Sequence, residues 1–494
     1  MSVTELDRRP DTRGLVVFAV FVIVLAIALR FWRLGDWNFQ ATEIFTLRDS
    51  VRPQFHNARP LGYLLNYYLI RPLMPLDEFG LRLLPAIFGA LAVPAFYLVS
   101  RRLVGSRAAF LGTLLLAVNP LLISYSQLAR YWSLVFLLST IFPYAIYLGL
   151  RDRNRPALGL GLATFVLSVL AHPVSALVIV GPALALLTRI RRDQVARLWS
   201  QKAVRWSLMV LLLLAAAVVV RLTPMFQHWV SEHDENPGGG QFLNPSMGPS
   251  AFKLLVYLIA FADGLSLPVA LIGIVGMYLL WQGRDRSMAL FLTSLAGFPI
   301  VFLTLISLRT PVSTYYLLPT VPAFFMGAGV FLDRIFEVDW KARPWWLVPV
   351  TLTAIIIAFG MPTLVSDYRN GRRYDFRGAA RWIEGNSTAG DVIYSDQPIV
   401  LTHYLSRKKV ERLRYDVAPL TDSLRAVQQA GPDQALWIVA PGLSHALRTN
   451  LKQGGLIRWI YDHCQLSNTV GVGRIDFRQQ YLQVYRCPPS PSAP

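Results

Sequence analysis

The sequence predicts a polytopic α-helical membrane protein of about eleven transmembrane helices, followed by a C-terminal extracytoplasmic α/β domain. Three observations predict it. Of 494 residues, 54% are hydrophobic and only 16% charged, with a mean hydropathy of +0.42, which is the composition of a chain that lives in a bilayer. The apolar residues are gathered into runs long enough to cross hydrocarbon, separated by short basic clusters. After residue 362 the runs stop and short strand-like and helix-like segments alternate. Residues 1–361 are therefore expected to form the membrane module and residues 362–494 the outer domain.

A net charge of +19 suits a nucleic-acid ligand in a soluble protein. Here much of the Arg and Lys lies between apolar segments, where it orients the chain in the membrane, so the expected partner is the lipid bilayer and not nucleic acid. The N-terminal MSVTELDRRPDTRG is polar. The apolar run after it is long enough to span and has no small-residue cleavage site, so it is expected to stay as an anchor.

In order, apolar runs lie near residues 14–33, 83–100, 108–125, 131–150, 157–171 and 173–187, then 206–222, 265–281, 288–307, 315–332 and 345–361. Those between 157 and 187 are short, and His172 with Pro173 reads equally as a kink in one long buried hairpin. The basic clusters RRLVGSR (101–107), RDRNR (151–155), RIRRDQVARLWSQKAVR (189–205), GRDR (283–286) and DRIFEVDWKARP (333–344) fall on one side with the N-terminus if eleven helices are counted. The positive-inside rule makes that side cytoplasmic. Loops 34–82 and 223–264, and everything after about 362, then face outward.

The first outer loop is too apolar for a simple connector. Leu61, Leu64, Leu65, Tyr68 and Leu69 recur at helical spacing, as expected of a helix lying on the membrane surface. The second outer loop carries HDENPGGGQFLNPSMGPS, a Gly, Pro and Asn mixture that holds neither helix nor strand and reads as a lid or as a plain connector.

In the outer domain, FRGAARWIEGN, TDSLRAVQQAG and SHALRTNLKQGG read as helices, and DVIYSD, ALWIVAP and QYLQVYRC as strands. The alternation implies three layers around a mixed or parallel sheet. No GxGxxG or P-loop sits at a strand-to-helix turn, so the domain reads as one for packing or acceptor recognition. Cys464 and Cys487 are the two cysteines; with no CxxC pair, they are expected to form one disulfide if that end faces an oxidising compartment.

Ionisable residues near a membrane mark function. Those of this chain gather at the outer ends of helices: Arg130 and Tyr131 in SYSQLARYWSL, His172, Asp263 and Arg309. The first outer loop adds Arg48, Arg52, Arg59 and Arg71 around DWNFQATEIFTLRDS, which carries Glu43 between apolar neighbours. Outward arginines run against the positive-inside rule. Their planar forks of donors suit phosphate, although snorkelling at the headgroups is the plainer explanation for any one of them.

Four stretches resemble the GT-C superfamily of polyprenyl-phosphate-sugar-dependent glycosyltransferases, in the branch related to protein O-mannosyltransferases and lipid A aminoarabinose transferases. ATEIFTL (41–47) looks like the acidic motif of its first outer loop, often Asp-Glu; ARPLGYLLNYYL (58–69) is similar to its His-Pro-Pro-Leu-Tyr-Tyr segment. SYSQLARYWSLVFLLS (124–139) looks like its Tyr-Ser-Gln-Glu-Ala-Arg-Met-Tyr motif, and YYLLPTVPAFFMGAG (315–329) like its Arg-Tyr-Leu-Leu-Pro segment. Beyond these four, FRGAARWIEGNSTAGDVIYSD also resembles the start of the outer domain in bacterial members. The chain departs at Thr42, where the family often has Asp, at Leu128 for a frequent Glu, at Arg59 for a frequent His and at Tyr315 for a common Arg.

The resemblance implies a bacterial cytoplasmic-membrane enzyme that moves a sugar from a polyprenyl-phosphate donor to a hydroxyl of a glycan, glycolipid or protein acceptor on the outer face, by inverting displacement. Glu43 is then the expected base, with Asp36 or Asp49 taking its place under a shift of register. Arg130, helped by Arg59, Arg309 and Tyr131, is expected at the donor phosphate, with His172 and Tyr315 nearby. No HExxH or carboxylate cluster requires a metal, though some relatives use divalent ions. The rival classes are a lipid or sugar transporter or flippase, which tends to show midplane charges and related repeats, and a non-catalytic envelope scaffold.

Overall fold

A computed structural model describes residues 12–53, 55, 57, 59–187, 261, 262, 264–283, 286–307, 314–337, 347–371, 373–405, 408–414, 416–430, 434–441, 454–471 and 481–488. The expected span at 206–222, nearly all of the loop 223–264, Asp263, Arg309 and most of SHALRTNLKQGG lie outside these residues. The chain divides into two compact units, one of residues 1–27, 88–123 and 131–357, the other of residues 28–87, 124–130 and 358–494.

The described part of the first unit is helical. Each expected apolar run within the described residues coincides with helix: α1 (Thr12–Phe31), α4 (Glu78–Val104), α5 (Ser106–Ala117) with α6 (Pro120–Ser126), α7 (Trp132–Arg151), α8 (Arg155–Ala171), α9 (Val180–Leu187), α10 (Leu267–Gln282), α11 (Arg286–Ser307), α12 (Val321–Glu337) and α13 (Leu347–Asn370). Five of the described segments are long and apolar enough to cross a membrane, six if α5 and α6, bent by 60° at their break, form one span. The chain is a multi-pass membrane protein. His172 and Pro173 end α8: a 3-10 stretch, Pro173–Ile179, follows before α9, and His172 Nδ1 accepts the Val174 N–H at 3.1 Å. Lipid-like surroundings give helices no hydrophobic reason to associate, so small residues that admit close backbone contact matter. A Cβ on Gly276 of α10 would overlap the Gly327 carbonyl of α12, and one on Gly112 of α5 would lie 2.5 Å from the Phe325 carbonyl oxygen.

The second unit holds a five-stranded mixed sheet of order β2-β1-β3-β5-β4, formed by β1 (Val392–Ser395), β2 (Val410–Arg412), β3 (Leu436–Pro441), β4 (Gln465–Val470) and β5 (Leu482–Cys487). β1, β2 and β3 are parallel, while β5 runs antiparallel to β3 and β4. Strand side chains alternate between faces. Ile393, Trp437, Val439 and Val484 pack with α14 (Phe376–Asn386) and α15 (Pro398–Tyr404) on one face. Tyr394, Ile438 and Tyr485 pack with α16 (Ala418–Ala430) and α17 (Gly454–His463) on the other. Three layers result. Cys464 and Cys487 are disulfide-bonded, joining the residue after α17 to the end of β5.

Phe39, Ile44 and Leu81, from the first outer loop and the start of α4, lie in the same core as α14, α15 and the sheet. That loop is therefore built into the α/β unit. It contains α2 (Ala41–Ser50), then α3 (Pro60–Leu65) running into a π-turn over Asn66–Ile70, which together place helix where the Leu61–Leu69 spacing predicts it.

Candidate active site

Gln40 is the N-cap of α2 and Glu43 its third residue, so the Glu43 carboxylate turns back to accept the Gln40 N–H at 2.9 Å. A carboxylate in the first turn also suits the positive end of the helix. Four further donors converge on it. Oε1 accepts from Arg82 Nε and Ala129 N, both at 2.8 Å. Oε2 accepts from Arg82 Nη2 and Arg373 Nη1, both at 3.0 Å. Glu43 and Arg82 have no exposed surface. Arg82 spends its remaining donors on backbone, Nη1 on Leu34 O and Trp37 O, Nη2 on Asn38 O. Arg373 likewise donates to Gly371 O and Asn38 O.

Burial alone would push the Glu43 carboxyl up, but the guanidiniums of Arg373 and Arg82, with hydrogen bonds from Arg82 and Ala129, outweigh it and hold Glu43 down at about 2. Burial pushes Arg373 down to about 10 against the opposing pull of Glu43. In this geometry five donor atoms surround the Glu43 carboxylate.

This cluster fixes the segment that carries Arg130. Ala129 N–H is held by Glu43, Gln127 Nε2 donates to Trp32 O at 2.8 Å, and Arg130 N closes a tight turn on Leu128 O at 2.7 Å. Arg130, half-buried, then lies along α2, with Nη1 donating to Thr42 O and Thr46 Oγ1, both at 3.1 Å. Thr42, Thr46 and Asp49 recur at helical spacing on one stripe of α2. Asp49 accepts from Arg48 Nε at 3.2 Å. Asp36 lies in the turn before α2 and pairs with Arg33 at 2.6 Å. Arg59 is the half-buried N-cap of α3.

In the first unit, Tyr131, His172 and Tyr315 gather around Trp132. Trp132 lies 4.6 Å from Tyr315 and 4.8 Å from His172, and His172 lies 5.5 Å from Tyr131 and 5.3 Å from Tyr316, ring centre to ring centre. Trp132 and Tyr316 were not foreseen, although both flank residues that were. Nor were Arg82 and Arg373. The signal for Arg82 is a lone guanidinium in LRLLPAI at the mouth of a span; RNGRRYD offers none for Arg373. Among the described residues no three His, Cys, Asp or Glu side chains group as metal ligands.

No family model and no curated protein matches the chain. Solved structures do. ArnT from Cupriavidus metallidurans in the apo state superimposes with a TM-score of 0.51 at 16% identity, over 98% of this chain and 100% of that one. The Archaeoglobus fulgidus oligosaccharyltransferase tethered to an acceptor peptide gives 0.53 at 12% identity, over 96% and 76%. This chain has the GT-C fold. The same oligosaccharyltransferase in complex with Zn and sulfate gives 0.51 at 13% identity, over 86% and 67%.

Proposed function

We propose that this chain is an inverting glycosyltransferase of the cytoplasmic membrane of a bacterium, taking a sugar from a polyprenyl-phosphate donor to a hydroxyl of an envelope glycan, glycolipid or protein on the outer face. One observation carries the reading: on the fold of lipid A and oligosaccharide transferases, a buried Glu43–Arg82–Arg373 cluster fixes the segment bearing Arg130 against α2. The Cys464–Cys487 bond supports an extracytoplasmic sheet, because disulfides persist in oxidising compartments.

In the transfer, the bond between sugar C1 and the phosphate oxygen breaks as the acceptor oxygen bonds to C1 from the opposite side. The electron pair leaves on the lipid phosphate, whose charge the Arg130 guanidinium stabilises, with Arg59, Arg309 and Tyr131 assisting. The acceptor proton passes to a carboxylate. Glu43 acts as a positioning residue, and Asp49 receives the proton. Asp49 lies three residues beyond Thr46, about 4.5 Å along the helix axis, on the stripe that holds Arg130. His172 and Tyr315, in the aromatic cluster, contact the sugar.

A non-catalytic scaffold is the second reading, favoured by Thr42 and by the closed state of Glu43. The deciding experiment incubates purified full-length protein with undecaprenyl-phosphate-linked sugars, radiolabelled in the sugar, and envelope extract. Transfer of label with release of undecaprenyl phosphate is expected; absence of both across hexose, pentose, amino-sugar and uronic-acid donors sinks the enzyme reading.

A further inference from the structure

Among the described residues, the first outer loop leaves a group of large apolar side chains exposed. Phe45, Val51, Phe55, Tyr68, Leu69 and Leu73 are all exposed, Leu73 by 77% and Phe55 by 68%. The end of α2 and the π-turn that carry most of them are tied together, Arg71 Nη1 to Val51 O at 2.8 Å and Asn66 Nδ2 to Ser50 Oγ at 3.2 Å. On α2 the exposed positions are Phe45 and Arg48, followed by Val51 and Arg52, the spacing of a single face.

Arginines are interleaved with the aromatics. The Arg48 guanidinium lies 5.2 Å from the Phe45 ring centre and that of Arg71 5.1 Å from Tyr67. Arg52 is exposed. Asp49 offsets one of the three charges through its pair with Arg48, leaving this face net positive. Five residues after Leu73 the chain enters α4, a membrane-spanning helix, so the face is tethered close to the bilayer. Water is a poor environment for such a surface, and an aqueous protein partner is not needed to cover it. Aromatic and aliphatic side chains with basic ones between them match the boundary of acyl chains and phosphate headgroups.

The geometry points to a lipid-binding face: Phe45, Tyr68, Leu69 and Leu73 enter the acyl boundary while Arg48, Arg52 and Arg71 hold the phosphates of anionic phospholipid. Its occupant is the bilayer surface itself, separate from the residues assigned to the donor. An arginine close to an anionic surface strengthens attachment about fivefold, so the three together discriminate strongly between charged and neutral lipid.

The test places full-length protein in nanodiscs of phosphatidylglycerol or of phosphatidylcholine and follows backbone hydrogen exchange over residues 66–74. Exchange in wild type is expected to be severalfold slower in phosphatidylglycerol. Arg48→Gln with Arg52→Gln, which leaves the Arg71 tie intact, is expected to shrink that difference; Leu69→Ser with Leu73→Ser is expected to speed exchange in both lipids. Equal exchange of wild type in the two lipids, or a difference that survives the double arginine change in a protein of unaltered melting temperature, overturns the proposal.

Discussion

The Glu43 carboxylate and the Arg82 guanidinium meet as a two-pronged pair, Oε1 with Nε at 2.8 Å and Oε2 with Nη2 at 3.0 Å, with neither side chain exposed. Such a pair says little about net stability, because desolvating both charges offsets much of their attraction. Breaking it is another matter. Glu43→Gln keeps the size of the side chain but leaves Arg82 and Arg373 buried with no anion, and is expected to destabilise the protein by about 3–5 kcal/mol. Thermal unfolding in detergent checks this. A melting temperature equal to wild type would mean that the carboxylate does not hold the cluster.

Acid is expected to have the same effect. Glu43 is held at about 2 against an ordinary 4.5, so the unfolded chain binds its proton first as pH falls. The stability it contributes is fully present above about 4.5 and is lost as pH drops from there to about 2. Melting temperature followed from pH 6 downward should fall in that window, and the fall should be shallower in Glu43→Gln.

Asp396, just past the end of β1, should behave in the opposite sense. Burial pushes its carboxyl up to about 7 from an ordinary 3.8, so the folded chain keeps the proton longer than the unfolded one. Its contribution is present below about 3.8 and lost as pH rises through about 7. Asp396→Asn, which carries no charge to bury, is expected to melt at a higher temperature than wild type at pH 8 and to show less difference at pH 4. A lower melting temperature at both pH values would point instead to an unrecognised ionic partner.

Reduction of Cys464–Cys487 tests the staple at the far end of the sheet. The bond closes a loop with a sequence separation of 23, which on chain entropy is worth about 3 kcal/mol. Dithiothreitol is expected to lower the temperature at which the sheet unfolds, seen as earlier proteolysis between α17 and β5. No change would mean that the unfolded chain is already constrained there.

What was legible in the sequence follows from what is local. Apolar runs located every described span, and strand alternation found β1, β3 and β5, because burial repeats along the chain with a fixed period. β2 is three residues long and β4 reads QLSNTV, so neither carries a clear apolar pattern. The burial of Glu43 was hidden for a different reason. Its partners Arg82 and Arg373 lie 39 and 330 residues away, and nothing in ATEIFTL distinguishes a carboxylate facing two arginines from one facing water. The same holds for Phe39 and Ile44, which read as loop residues yet pack in the core of the sheet.

The roles proposed for Asp49 and Arg130 separate in kinetics. Asp49 is on the edge of α2 with 14% of its side chain exposed, so Asp49→Asn should leave the Glu43 cluster intact. Loss of a general base lowers turnover by about a hundredfold or more, and donor KM should stay near wild type because no phosphate contact is touched. Arg130→Ala removes both the cation and the bonds to Thr42 and Thr46, so donor KM should rise and turnover fall together, while Arg130→Lys, which keeps the charge but not the planar fork, should recover part of the loss. Initial rates against undecaprenyl-phosphate-sugar concentration, once a labelled donor is accepted, distinguish the two patterns. Near wild-type turnover by Asp49→Asn would return the proton to Asp36 or to a Glu43 released from its arginines, and a donor KM unmoved by Arg130→Ala would take the phosphate away from α2 altogether.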